Sequence, residues 1–236
     1  MKKLLLVLLS VFILYGCGFM RCIHGSGRVI SETRNVAEFS GISVGGNANL
    51  YITQGPTQSL RIEAEDNILP ILRTKVEGRT LVIENKRCIQ NHRPINIYAT
   101  MQDVRELEIL GSGKIIGETI ITTNKLDINI SGSGKANLEV NADKLKTRIS
   151  GSGDMAFSGK VTDFDVIVSG SGNIRARNLE TNSSFITVSG SGDCIVSAKD
   201  ELDVTISGSG RVEYYGEPLK VHSNVSGSGK LIKGER

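Results

Sequence analysis

A Gly-Ser-Gly triplet begins at residues 111, 132, 151, 170, 190, 208 and 227, in steps of 21, 19, 19, 20, 18 and 19 residues. A regular period of this length is the signature of a solenoid, in which each repeat buries its apolar face by stacking on its neighbours. Directly before each full Ser-Gly-Ser-Gly turn stands a β-branched aliphatic: Ile130, Ile149, Val168, Val188, Ile206 and Val225. Four residues earlier come Leu126, Leu145, Phe164, Leu202 and Val221, and one repeat places Ser184 there with Phe185 beside it. After the turn a polar residue (Lys135, Asp154, Asn173, Asp193, Arg211, Lys230) is followed by an apolar one (Ala136, Met155, Ile174, Cys194, Val212, Leu231). Even spacing of apolar residues on both sides of the turn predicts strands with one buried face.

Each period therefore reads as strand, Gly-Ser-Gly corner, strand, polar connection: one coil of an all-β parallel solenoid with coils of about 19 residues. At ~4.8 Å per layer, six full repeats build about 30 Å of rod. The corner glycines are structural: Gly111 and Gly113, Gly132 and Gly134, Gly151 and Gly153, Gly170 and Gly172, Gly190 and Gly192, Gly208 and Gly210, Gly227 and Gly229. They suit a bend that needs positive φ or close approach of stacked backbones. The serines between them are expected to stack into a ladder whose hydroxyls bond along the axis or cap backbone groups. The residue opening the second strand alternates Lys, Asp, Asn and Arg along the rod, a solvated face with no single-sign stripe.

The chain starts with Lys2 and Lys3, then an apolar run from Leu4 to Leu14, then Gly16 and Cys17, which reads as an export signal over residues 1–16. The run is too short to cross ~30 Å of hydrocarbon. Leu14-Tyr15-Gly16-Cys17 resembles the bacterial lipobox, with Tyr15 at a position usually small, and implies cleavage before Cys17 and a lipid on its thiol. Gly18-Phe19-Met20-Arg21 carries neither a retention signal nor an acidic export run, so the expected place is the cell envelope, at the outer membrane, on its periplasmic side by default and with exposure at the cell surface as the alternative. Removing the signal lysines turns 28 basic against 25 acidic residues into 26 against 25. A nearly neutral chain without Trp offers no footprint for nucleic acid. Of the remaining cysteines, Cys194 shares the apolar slot of Met155, Ile174 and Val212 and reads as core; Cys22 and Cys88 are candidates for a disulfide in an oxidising compartment.

After a linker over residues 17–27, residues 28–100 lack the triplet but keep strand patterning, as in Ala48 to Thr53 and Leu60 to Ala64, with breaks at Gly55-Pro56, Gly78 and Pro94. Only Asn67 to Arg73, interrupted by Pro70, reads as a helical turn. This section either caps the regular rod of residues 101–236 or forms its irregular first coils, since an exposed strand edge invites aggregation. At the other end Lys230, Lys233, Glu235 and Arg236 place charge on the last coil, in the manner of edge protection.

The order Phe39-Ser40-Gly41-Ile42, Tyr51 to Gly55, Glu63 to Pro70, Val76 to Val82 and then the Ser-Gly-Ser-Gly turns resembles a bacterial family formerly catalogued as a domain of unknown function and now called the putative autotransporter adhesin head GIN domain. The resemblance covers residues 28–232 and implies a right-handed parallel β-helix in an exported protein, with no established activity.

Enzyme chemistry finds little footing. Gly41-Ile42-Ser43-Val44-Gly45 matches G-x-S-x-G, but the nucleophile elbow needs a strand-to-helix turn and no helix follows. His24, His92 and His222 stand far apart without Cys or carboxylate partners at zinc-ligand spacing. Asp154 and Asp193 share their post-turn position with Lys135 and Arg211, which argues against a calcium roll. Steps of 18 to 21 residues leave no room for catalytic loops, so an active site would need Glu63, Glu65, Asp66 or Asp103. The expected protein is a non-catalytic, lipid-anchored solenoid without catalytic residues, cofactor or metal, which presents a rigid surface to a protein or glycan partner. A polysaccharide-acting β-helix enzyme and a periplasmic scaffold are the alternatives.

Overall fold

In the coil Lys135–Gly151 the buried residues are Ala136, Leu138 and Val140, then Leu145, Thr147 and Ile149. Spacing of two holds each trio on one side of a strand, while the step of five from Val140 to Leu145 reverses the phase, so the chain must bend there. The computed structural model, which describes residues 22–90 and 93–235, shows the consequence: a parallel β-solenoid of about seven turns. The signal segment, Cys17, His92 and Arg236 lie outside the described residues.

Coils pair in register at their corners, Gly132 with Gly151, Gly151 with Gly170, Gly170 with Gly190 and Gly190 with Gly208, with one bulge where the pairing shifts between the Ala156/Arg175 and Ser158/Asn178 pairs. Stacks of like residues fill the interior, one of them running Val44, Ile109, Ile130, Ile149, Val168, Val188, Ile206, all no more than 1% exposed. Where the pattern places Ser184, the serine does face inward and is buried; its hydroxyl and that of Thr181 lie 2.8 Å apart, and both turn to the Ser197 carbonyl. That satisfies a polar group which would otherwise cost stability in an apolar core. Phe185 points outward.

The two glycines of each corner serve different needs. Gly151 has φ +123°, and a Cβ there would lie 2.5 Å from the Gly132 carbonyl oxygen of the coil beneath. Gly153 turns inward, where a Cβ would meet the Ile130 Cγ2 at 2.8 Å. The serines that stack in register are those directly before the corner, Ser131, Ser150, Ser169, Ser189, Ser207 and Ser226, and among the described residues their hydroxyls bond no other protein group. The backbone holds the corner instead: Ser133 N donates to Gly111 O at 3.0 Å, and Ser152 N to Gly132 O at 2.9 Å. A ladder of serines exists without a ladder of hydroxyl bonds.

The irregular section proves to be both coil and cap. Gly41–Gly46 and Ala48–Gln54 are in register with Glu106–Gly111 and Lys114–Gly117, so Gly45-Gly46-Asn47-Ala48 is an eighth corner, with Gly46 beneath Gly111. The chain then builds outward from this coil. Thr80–Asn85 pairs parallel with Gly41–Gly46 and Leu72–Glu77 antiparallel with Thr80–Asn85. On the other face Ile95–Met101 pairs parallel with Ala48–Gln54, followed by antiparallel Ser59–Glu65 and Val29–Thr33. A 3-10 turn, Leu69–Ile71, crosses the end and buries Ile68, Leu69 and Leu72 over the core. The N-terminal stretch is fastened to this cap by the Cys22–Cys88 disulfide and by pairing of Ile23–His24 with Ile89–Gln90.

Candidate functional site

Where the chain returns from the cap to the rod, Arg105 N donates to Ser40 O at 2.8 Å, and residues 102–106 leave a groove beside the next coil. Its volume is about 720 Å³, and its walls carry Gln54, Asp103, Arg105, Glu106, Lys125 and Asp127. Gln54 spans it: Nε2 donates to Gln102 O (3.1 Å) and Thr122 O (2.9 Å), and Oε1 accepts from Thr122 N (2.7 Å). Three carboxylates converge here, each already engaged. Asp103 pairs with Arg105 and accepts from Thr123, Glu106 accepts from Thr80 at 3.0 Å, and Asp127 pairs with Lys125 at 2.8 Å. Asp127 Oδ1 is the one buried side-chain oxygen or nitrogen among the described residues without a partner. The groove can therefore hydrogen-bond a polar ligand, but its acids are tied to cations and hydroxyls rather than held as an acid–base pair.

Sequence reasoning singled out Asp103 and missed Glu106, Asp127 and Gln54. The groove exists only because coil one and coil two are 65 residues apart in sequence and adjacent in space, a separation seen in the bond from Ser43 Oγ to Glu108 Oε2 (2.6 Å). That bond also accounts for the serine of the nucleophile motif: Ser43 is a buried strand residue donating to its neighbouring coil, with no histidine bonded to it among the described residues. Glu65 is buried and accepts from Gly27 N at 2.7 Å, while Asp66 receives Ser26 and Arg28, whose bonds hold its carboxyl below the usual range. Both acids fasten the N-terminal strap. Among the described residues no three His, Cys, Asp or Glu side chains form a group able to hold a metal ion, and no helix is long and apolar enough to cross a membrane.

Two further surfaces stand out. On the cap sheet Tyr51 and Tyr98 stack with ring centroids 4.8 Å apart, and the Arg61 guanidinium lies 4.0 Å over Tyr98. Burial and the adjacent Glu63, which accepts the Tyr98 hydroxyl at 3.2 Å, raise the Tyr98 pKa. The stack ties three strands together, Tyr51 facing Tyr98 and Tyr98 facing Arg61 across the ladder. At the far end of the rod, Leu219 is 85% exposed and Val221, Val225 and Ile232 are 40–47% exposed.

The sequence profile described as "Putative auto-transporter adhesin, head GIN domain" matches residues 38–218. No match was found among functionally curated proteins. A crystal structure of a putative adhesin from Bacteroides fragilis is similar over 89% of this chain and 99% of its own, with 27% identity and a TM-score of 0.85. A putative lipid binding protein from Parabacteroides distasonis (24% identity, TM-score 0.73, 91% of this chain and 100% of its own) and a putative adhesin from Parabacteroides merdae (20%, 0.72, 90% and 99%) share the fold. With a stacked parallel coil, a glycine corner on every turn and a matching profile over most of its length, the chain belongs to the auto-transporter adhesin head GIN domain family.

Proposed function

We propose that the protein is an exported lipoprotein of the cell envelope whose non-catalytic solenoid presents a rigid surface for adhesion. The observation that carries this reading is the fastening of the N-terminal strap: Cys22 is bonded to Cys88 of the cap, only five residues after Cys17. A lipid on Cys17 holds the capped end within about 18 Å of the membrane, the reach of five extended residues. The rod then projects its coils outward. Family membership supports adhesion over catalysis, and the partnered carboxylates of the groove support it further.

Anchoring is tested by Cys17→Ala, which is expected to move the protein from the membrane to the soluble fraction; retention in the membrane overturns the anchor. Adhesion is tested by deletion or antibody blocking, with attachment to glycans, matrix or neighbouring cells as the readout. Turnover of an oligosaccharide panel, abolished by Glu106→Gln or Asp127→Asn, is the result that would favour the polysaccharide-acting alternative.

A further inference from the structure

The exposed valines of the last coil are not surface residues by orientation. Val221 is in register with Leu202 and Val225 with Ile206, both of which are 0% exposed one coil below. They point into the core, and their exposure of 47% and 41% comes from the lack of a layer above them among the described residues. Among the described residues Lys220–Gly227 pairs on one side only, with Glu201–Gly208, so a row of backbone donors and acceptors accompanies the apolar surface. What fits such an end is another β-strand with its own inward apolar residues.

We propose that this strand is supplied by a second copy of the chain, paired antiparallel through Lys220–Gly227 about a two-fold axis at Ser223. Three observations select that occupant. The capped end offers no matching coil, since its outermost strands, Leu72–Glu77 and Val29–Thr33, run antiparallel and the 3-10 turn covers the core, so head-to-tail stacking has no template. The strand is self-complementary: an axis at Ser223 sets Val221 opposite Val225 twice over and keeps inward residues against inward residues, which a one-residue slip of the pairing would reverse. Charge is compatible in the same register, because Lys220 faces Ser226 and His222 faces Asn224, so no like charges meet along the strand. An axis at His222 would instead oppose the two imidazoles.

The inference rests on the adhesion reading and names its partner. Two rods joined at their open ends carry their caps, and any lipids, at opposite extremes, which is the geometry of a contact between two surfaces. The first face holds ten strands from Leu72–Glu77 to Lys220–Gly227, so each rod contributes about 43 Å at ~4.8 Å per step.

The test uses the full chain extracted in detergent. Ser223→Cys is expected to form an interchain disulfide on mild oxidation, because the axis sets residue 223 opposite itself, while Asn224→Cys, which faces His222, is expected to crosslink at least about tenfold less. Adding Val225→Lys to Ser223→Cys should abolish the crosslink and leave a single-chain mass by light scattering, with the melting curve unchanged. Equal crosslinking of the 223 and 224 variants, or a single-chain mass for the unmodified protein at high concentration, overturns the pairing. Cys17→Ala separates the two ideas: the 223 crosslink should persist without the anchor, whereas clustering of vesicles carrying the acylated protein should be lost. Crosslinking without any vesicle clustering would uphold the pairing and sink the adhesion reading.

Discussion

At the N-terminal end of the rod the chain departs from its own repeat: residues 55–104 double back, lay one parallel strand on each face of the first coil with an antiparallel strand beyond it, and seat Ile68 and Leu69 over the core. At the C-terminal end the repeat continues in register to Lys230–Lys233, and the interior that a next coil would cover is left open at Val221 and Val225. A solenoid made of one motif always presents two end faces. Closing one of them takes sequence that is no longer the motif, because an antiparallel strand and a turn cannot be read by the next parallel layer. The difference teaches that stability should rise from the open end toward the middle, since each layer draws its burial from the layers on both sides.

The largest expected effects break the rod where two layers meet. Gly151→Ala adds a Cβ to a residue with φ +123° and drives it onto the Gly132 carbonyl; it should cost about 3 kcal/mol or more by denaturant unfolding. Gly227→Ala makes the same clash with Gly208 O at 2.5 Å but in a coil free to open, and should cost less than half as much. Phe164→Ala removes a fully buried ring that meets Phe157 edge-on at 6.0 Å, and should cost about 3–5 kcal/mol, against less than about 1 kcal/mol for Val225→Ala. Equal costs at the middle and the end would refute the gradient.

Smaller effects sharpen the capped end and the interior. Cys88→Ser opens a crosslink of 66 residues and should cost about 2–4 kcal/mol, with new proteolytic cleavage confined to residues 22–34. Cys194 is buried, and desolvation pushes its thiol up to about 12 from an ordinary 9.0. Its raised pKa gives stability that is fully present below pH 9 and lost as pH rises toward 12, because the unfolded chain releases that proton first. Mass spectrometry should show no alkylation of Cys194 in the native protein at pH 8 and complete alkylation in denaturant. The smallest effect is expected of Ser150→Ala or Ser226→Ala, within about 0.5 kcal/mol at either location, since neither hydroxyl bonds another protein group among the described residues.

Most of the rod was legible because its signals are local. The β-branched residue before each corner, the alternation after it and the glycine pair report the pleat and the bend within a few residues, and even the exception at Ser184 keeps its inward place. The groove was not legible. Its acids Glu106 and Asp127 stand one repeat apart, but Gln54 belongs to the first coil, and the insertion between coil one and coil two hides the period that would have brought it beside them. The same insertion disguised Gly45-Gly46-Asn47-Ala48, which repeats the corner with Asn47 and Ala48 where later coils have Ser and Gly.

The sequence by itself determined a parallel coil of about 19 residues, its inward stacks and its glycine corners, since each is a property of one repeat laid on the next. Only the tertiary structure decided that the irregular section holds the first coil, that its outermost strands turn antiparallel to close one end, and that Val221 and Val225 of the last described coil are left uncovered among the described residues. The physical reason is that strand pairing is non-local: the hydrogen bonds that join Ser112 to Gly46, or Lys86 to Ile71, depend on which edge is unpaired once the rest has folded, and no periodicity in the chain records that.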